Sequence, residues 1–160
     1  AVDASGVRVG VVSLPKVHDP LKHGLVTLLI ALAREKGVSA YVADGTNRWA
    51  AAHVLDVAHL YRLALEKRAE TGTRYHAVGE EGVTLREIAE AVGRRAGVPA
   101  KSIPAGDAAE HFGWLAPIAM ADRPASSALT QAWLGWHPSG PGLIADIDSL
   151  SEPVASPAAL

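Results

Sequence analysis

Apolar positions along the chain follow two periods, and the switches between them outline alternating strands and helices. Residues 7–14 (Val-Arg-Val-Gly-Val-Val-Ser-Leu) are a β-branched run ended by Pro15, the pattern of a parallel strand buried on both faces. Leu25, Leu28, Leu29, Leu32 and Ala33 then recur at helical spacing. With Lys36 in the last turn and Gly37 suited to a left-handed C′ position, residues 25–36 are predicted to form a helix. Residues 38–43 predict a short strand, 44–47 (Asp-Gly-Thr-Asn) a turn, and 48–55 an extended segment. There the period changes. Val57, Leu60, Tyr61, Ala64 and Leu65 place an apolar stripe on a helix reaching about residue 68, with Asp56 expected at the switch as its N-cap.

Residues 74–79 predict another parallel strand, expected beside 7–14. Thr84 and Glu87 have capping-box spacing, and Leu85, Ile88, Ala89, Val92 and Ala96 give the helix behind them its apolar face up to Gly97 and Pro99. Residues 101–104 predict a short edge strand, 107–112 a brief helix, and 113–120 an apolar segment able to line or plug a pocket. A helix stopped by Gly135, with Trp136 folded back on the core, and a last short helix over 143–150 complete the body. Residues 151–160, made of Pro, Ala and Ser with few others, read as a flexible tail. The pattern is α/β, and a strand apolar on both faces, as 7–14 is, calls for neighbours on both sides.

Composition adds exclusions. With 160 residues, 49% hydrophobic and 20% charged, the chain suits one globular domain with a substantial core. Fifteen basic and seventeen acidic residues, without a long run of either sign, leave no electrostatic footprint for nucleic acid. No apolar stretch approaches the roughly 18 residues of a membrane span, and no basic-then-apolar leader opens the sequence, so a cytoplasmic location is the expectation. The lack of cysteine removes disulfides, thiolate catalysis and Cys-ligated metal.

Candidate chemistry gathers in two places. The loop Lys16-Val17-His18-Asp19-Pro20-Leu21-Lys22-His23-Gly24 carries His18, Asp19 and His23, a set that suits a general base with an orienting carboxylate; solvated loop histidines are the other reading. Their spacing matches no strong metal motif, and no metal is expected. The second place is the end of the extended segment, where His53 either faces a pocket or is a hydrogen-bonded structural histidine. Trp49, beside Ala50, Ala51 and Ala52, is a pocket wall or a core filler. His59, in a first helical turn, is disfavoured as a cation by the dipole and is given no role.

An Asp44-Gly45 turn, Arg48-Trp49, a short apolar run, His53-x-x-Asp56-x-Ala58 opening a helix, and later Leu134-Gly135-Trp136-x-Pro138 occur in this order. The series resembles the C-terminal half of the NAD-dependent epimerase/dehydratase branch of the short-chain dehydrogenase/reductase superfamily, over residues 7–147. Ala50 stands where the family often has Pro, Val54 where it has a polar residue, and Asp19 where it has Gly. The resemblance implies the late part of a Rossmann-like parallel sheet plus a small α/β substrate-binding subdomain, together filling residues 1–150. It also implies that the loop after residues 7–14 borders nicotinamide and substrate. His18, Asp19 and His53 are then the catalytic candidates, His23, Trp49 and Trp114 the substrate-pocket candidates, and Pro15 and His18 the points of possible cofactor contact.

Two parts of such an enzyme are missing. No Gly-x-Gly-x-x-Gly or Gly-x-x-Gly-x-x-Gly joins a strand to a helix, and no Tyr-x-x-x-Lys occurs, since Tyr41, Tyr61 and Tyr75 are followed four residues on by Gly45, Leu65 and Gly79. No cofactor is therefore expected on this chain alone, and NAD(P) is expected only with the family's Rossmann half supplied. Three functions stay open: the substrate-binding portion of an oxidoreductase or epimerase partnered by that half; a cofactor-independent isomerase or cyclase using His18, Asp19 or His53; and a small-molecule-binding or dimerising module whose second copy covers the open sheet edge.

Overall fold

The computed structural model describes residues 9–21, 24–67 and 72–150. In chain order these form β1 (Val11–Ser13), β2 (Lys16–His18), α1 (Leu25–Lys36), β3 (Ser39–Val42), β4 (Arg48–His53) and α2 (Val54–Glu66). There follow β5 (Arg74–His76), β6 (Glu80–Thr84), α3 (Leu85–Ala96), β7 (Ala100–Ile103), the short helices α4 (Ala108–Phe112) and α5 (Ala116–Met120), then α6 (Ala128–Leu134) and α7 (Leu143–Ser149). β1 pairs with β5, β2 with β4 and β3 with β7, all parallel, while β6 runs antiparallel on the other side of β4. The fold is α/β and Rossmann-like.

The helices predicted from periodicity form because their signals are local. α1 spans the predicted residues and ends at Gly37, whose φ of 68° is the left-handed conformation a side chain disfavours. α3 opens with the reciprocal capping box: the Glu87 amide donates to the Thr84 hydroxyl at 3.2 Å and the Thr84 amide donates to the Glu87 carboxylate at 3.0 Å. Within α3, Gly93 permits a close approach, because a Cβ there would lie 2.8 Å from the carbonyl of Val98 at the entry to β7.

Three expectations are corrected. The strand predicted over 7–14 is confined to Val11–Ser13; residues 9–10 are not strand, and 7–8 lie outside the described residues. It is not buried on both faces: Val11 is exposed, because among the described residues only β5 pairs with it. Second, α2 begins at Val54 with His53 as its N-cap, the imidazole Nδ1 accepting from the Leu55 amide at 3.3 Å. Asp56 therefore sits at the third position of the first turn, still favoured by the dipole but not the cap. Third, Tyr61 and Leu65 are exposed rather than part of the buried stripe, which is carried by Val57 and Leu60. β6 was not anticipated, since Glu80-Glu81-Gly82 carries none of the usual strand signals; its pairing with β4 makes the strand. The proposed tail, 151–160, lies outside the described residues.

Two apolar clusters result. The larger joins α1, β3, α3 and α7 through Leu29, Ile30, Val42, Leu85, Ile88, Leu143 and Ile147. The smaller packs Val57 and Leu60 of α2 against Tyr75, Leu134 and Trp136. Trp136 is fully buried beyond the Gly135 stop, as its sequence context predicts, and its indole N–H donates to the Asp56 carbonyl at 3.0 Å. Each such large side chain contributes about 1.5–3 kcal/mol by leaving water. No helix among the described residues is long and apolar enough to cross a membrane.

Replacing Thr84 by Ala should cost about 1 kcal/mol by removing the α3 cap, read as a lowered denaturation midpoint. Hydrogen bonds from the Thr84 side chain and backbone hold the Glu87 carboxyl below its usual range. A depressed folded-state value gives stability that is present above the unfolded carboxylate value and lost as pH falls through the folded one. The acid limb of a stability profile should therefore flatten in Thr84→Ala; an unchanged profile would count against the box.

Candidate functional site

A cleft of about 290 Å³ opens where β1 and β5 end. Ser13, Leu14 and Pro15 form one wall as the chain leaves β1, and His76 and Val78 form another beyond β5. Trp49 and Ile118 supply apolar surface, while Lys16 and Arg123 bring positive charge. The Trp49 indole is fixed because its N–H donates to the Ile118 carbonyl at 3.1 Å. Arg123 is held by its backbone, whose amide donates to the Arg48 carbonyl at 2.8 Å and whose carbonyl accepts from the Ala50 amide at 3.3 Å. Arg48 is neutralised by Asp122 through side-chain bonds of 3.0 and 2.9 Å. Among the described residues, Lys16 and Arg123 have no carboxylate partner and no carboxylate lines the cleft.

Lys16 places its Nζ 5.1 Å from the centroid of the Trp49 ring. Burial, and then the neighbouring Arg123 guanidinium, hold its ammonium below the ordinary lysine range. The cleft is thus electropositive over an apolar floor, and it suits a small ligand with an anionic group.

A second polar cluster lies beside it. Parallel pairing sets His18 opposite His53, with ring centroids 5.8 Å apart in an edge-to-face arrangement. His18 Nδ1 lies 2.6 Å from an Asp146 carboxylate oxygen, to which it donates, and the same oxygen is 3.8 Å from His53 Nε2. His18 Nε2 is buried without a hydrogen-bond partner, 3.9 Å from the Glu80 carboxylate. The segment leading to α7 is tied down by carboxylates: Asp56 accepts from the amides of Ser139 at 3.0 Å and Gly140 at 2.9 Å, and Glu80 accepts from the Leu143 amide at 2.6 Å. Gly140 is needed there, since a Cβ would meet the His53 side chain at 2.8 Å.

The structure thus brings His18 and His53 together but leaves both outside the cleft lining, while Pro15 and Trp49 line it. Solvated loop behaviour does not describe His18, which is 3% exposed. Asp19 is half-buried, and its carboxylate accepts from the Leu21 amide at 2.6 Å, closing a turn. Trp114 is 70% exposed and apart from the cleft lining, and His23 lies outside the described residues. Sequence reasoning passed over Arg123, Glu80 and Asp146. Asp146 did leave a signal, being one residue from Ile147 and three from Leu143 on the apolar face of the last helix.

No protein-family model matches the chain. It is 45% identical over 147 residues to an uncharacterised protein of Schizosaccharomyces pombe, covering 91% of this chain and 50% of that one. A second uncharacterised protein, from Saccharomyces cerevisiae, is 46% identical over 143 residues, covering 89% and 48%. The chain therefore spans about half the length of the curated relatives it matches. Among solved structures, a human epimerase family protein with NADPH superposes at a TM-score of 0.66 with 21% identity, covering 94% of this chain and 50% of that one. The dTDP-glucose 4,6-dehydratase DesIV of Streptomyces venezuelae, with NAD, gives 0.66 and 17%, covering 92% and 44%. UDP-glucose 4-epimerase of Thermus thermophilus, with NAD, gives 0.59 and 23%, covering 91% and 46%. At these identities the likeness is one of fold.

Asp56→Ala should cost about 3 kcal/mol, more than loss of a cap, because two amides lose a charged acceptor in a partly buried setting. Urea denaturation measures it. A midpoint shift no larger than that of Thr84→Ala would show that the Ser139 and Gly140 contacts contribute little.

Proposed function

We propose that this chain provides the substrate-binding portion of an NAD(P)-dependent oxidoreductase or epimerase of the short-chain dehydrogenase/reductase type, and that it does not transfer hydride unaided. The observation that carries this is the position of the cleft, beyond the carboxyl ends of parallel strands β1 and β5, where open α/β sheets hold their ligands. The order of sequence motifs and the cofactors named for the fold neighbours support it.

The dinucleotide itself does not fit these residues. Its pyrophosphate needs free amides at a glycine-rich helix start. Here both helices that begin directly at a strand end are already capped, α2 by His53 and α3 by Thr84 and Glu87. In this reading the cradle belongs to a Rossmann half outside the described residues, and Pro15 and the cleft rim are what this chain offers near a nicotinamide. The work of its own side chains is binding: Trp49, Ile118 and Val78 exclude water, and Lys16 and Arg123 hold an anionic group. His18 serves to fasten α7 through Asp146 and His53 to cap α2, and neither ring lines the cleft. A cofactor-independent isomerase built on those histidines gains no support from this placement.

One further reading has an observation behind it. Leu55, Tyr61 and Leu65 are exposed on α2, and the outer edge of β1 is unpaired among the described residues. In a dimerising module a second copy covers them. Two measurements separate the readings. NADPH fluorescence should be unchanged by the chain alone and enhanced when the chain is co-expressed with the half of its fission-yeast relative that it does not match. Sedimentation of the chain alone should give a monomer. A stable dimer, with no nicotinamide binding in either preparation, would instead establish the module.

A further inference from the structure

Lys16 is an unusual cation for its setting. It extends from the start of β2 into the cleft, lies over the Trp49 ring, and shares the lining with Arg123 without any carboxylate among the described residues to balance either charge. The titratable side chains around the cleft are Lys16, His76 and Arg123. Two cations facing one partly desolvated space disfavour double protonation, and Arg123 does not give up its proton, so the cost falls on Lys16. Burial and Arg123 move the ammonium in that direction. The Trp49 face acts oppositely, since an aromatic ring favours the cation. A lysine beside a second cation in an apolar pocket is the arrangement that turns an ammonium into a nucleophile.

We propose that Lys16 is an imine-forming amine that captures small carbonyl compounds bearing a carboxylate, with Arg123 holding the carboxylate and the cleft floor holding the carbon chain. The Nζ lone pair attacks the carbonyl carbon, forming a C–N bond while the C=O π pair moves to oxygen. A proton passes from nitrogen to that oxygen, giving a carbinolamine. The C–O bond then breaks, the hydroxyl leaves as water with a second proton from nitrogen, and C=N forms; no electrons enter or leave the system. A volume of about 290 Å³ suits a short 2-oxo acid or aldehyde acid. The inference rests on the cleft being the ligand site proposed above, but it needs no cofactor.

The test is reductive trapping on the whole chain. Glyoxylate with cyanoborohydride at neutral pH, followed by peptide mass mapping, should label Lys16 several-fold faster than Lys36, Lys67 or Lys101. Propionaldehyde, which lacks the carboxylate, should show a smaller preference for Lys16. Lys16→Arg should keep the melting temperature and lose the label. Arg123→Gln should lose the preference for glyoxylate over propionaldehyde and, because the neighbouring cation is gone, slow the labelling of Lys16 by both. Even labelling of the lysines, or a Lys16 slower than the rest, would overturn the proposal. Oxalate, an anion with no electrophilic aldehyde or ketone carbon, separates the two levels of the argument. If it shifts the NMR signal of the Trp49 indole while Lys16 stays unlabelled, imine formation is wrong and the cleft remains a ligand site; if it shifts nothing and no label appears, both fall.

Discussion

Pairing of β2 with β4 in a single register is the constraint from which both polar features follow. It sets Lys16 against Ala51 and His18 against His53. Alternate residues of a strand share a face, so a slip of one residue would reverse every side chain of β2 at once. Lys16 would leave the cleft, and His18 would leave Asp146. Small residues make the close pairing possible: Ala51 and Ala52 of β4 are almost completely buried, and the Gly79 amide donates to the Ala51 carbonyl at 2.9 Å. Larger side chains at these places would compete with the packing of Trp49 and Trp136 from either end.

Carboxylates set the position of the last helix. Asp56 and Glu80 reach across to the segment from residue 139 to the start of α7, Asp146 of α7 reaches back to His18 of β2, and Asp148 pairs with Arg94 on the outside. Buried charge is costly unless it is paired, and breaking a buried pair by removing one member costs more than the pair contributed. The apolar contacts of Leu143 and Ile147 supply the attraction; the carboxylates fix where along β2 and β4 the helix docks. That division explains why the segment contains glycines at 140 and 142, whose missing side chains let the backbone approach the carboxylates it must bond.

Much of this arrangement was legible locally and little of it at long range. α1 and α3 announce themselves because stripe, cap and stop lie within a dozen residues of one another. The pairing of the first strand with residues 74–76 was legible through the order of motifs. Asp56 was misplaced because two adjacent features, His53 and Asp56, both suit a helix start, and the choice between them is made by Ser139 and Gly140, more than eighty residues away. The nearness of His18 and His53 was not written in either loop or strand; it comes from strand register. Arg123 was passed over since one arginine between Asp122 and Pro124 in a connecting segment has no pattern, and its importance arises only when the backbone pairing with Arg48 and Ala50 brings it to the cleft.

The sheet edges treat solvent differently, and the contrast bears on the partner proposed for this chain. β6 presents Glu80 and Glu81, and the Ala125 amide donates to the Glu81 carbonyl at 3.0 Å, so that edge is charged and partly covered. Such an edge resists adding a strand. β1 has neither protection among its described residues: Val9, Val11 and Leu14 are exposed along it. An apolar edge left in water is a template for association, so the physical cost of β1 falls if another strand pairs with it. Relatives twice as long as the matched region have the chain length to provide one, which is why a further Rossmann layer is preferred over a second copy as the cover. The cleft is affected as well, for its Leu14 and Pro15 wall begins where β1 ends, and a strand added beside β1 would bring new residues to that same rim.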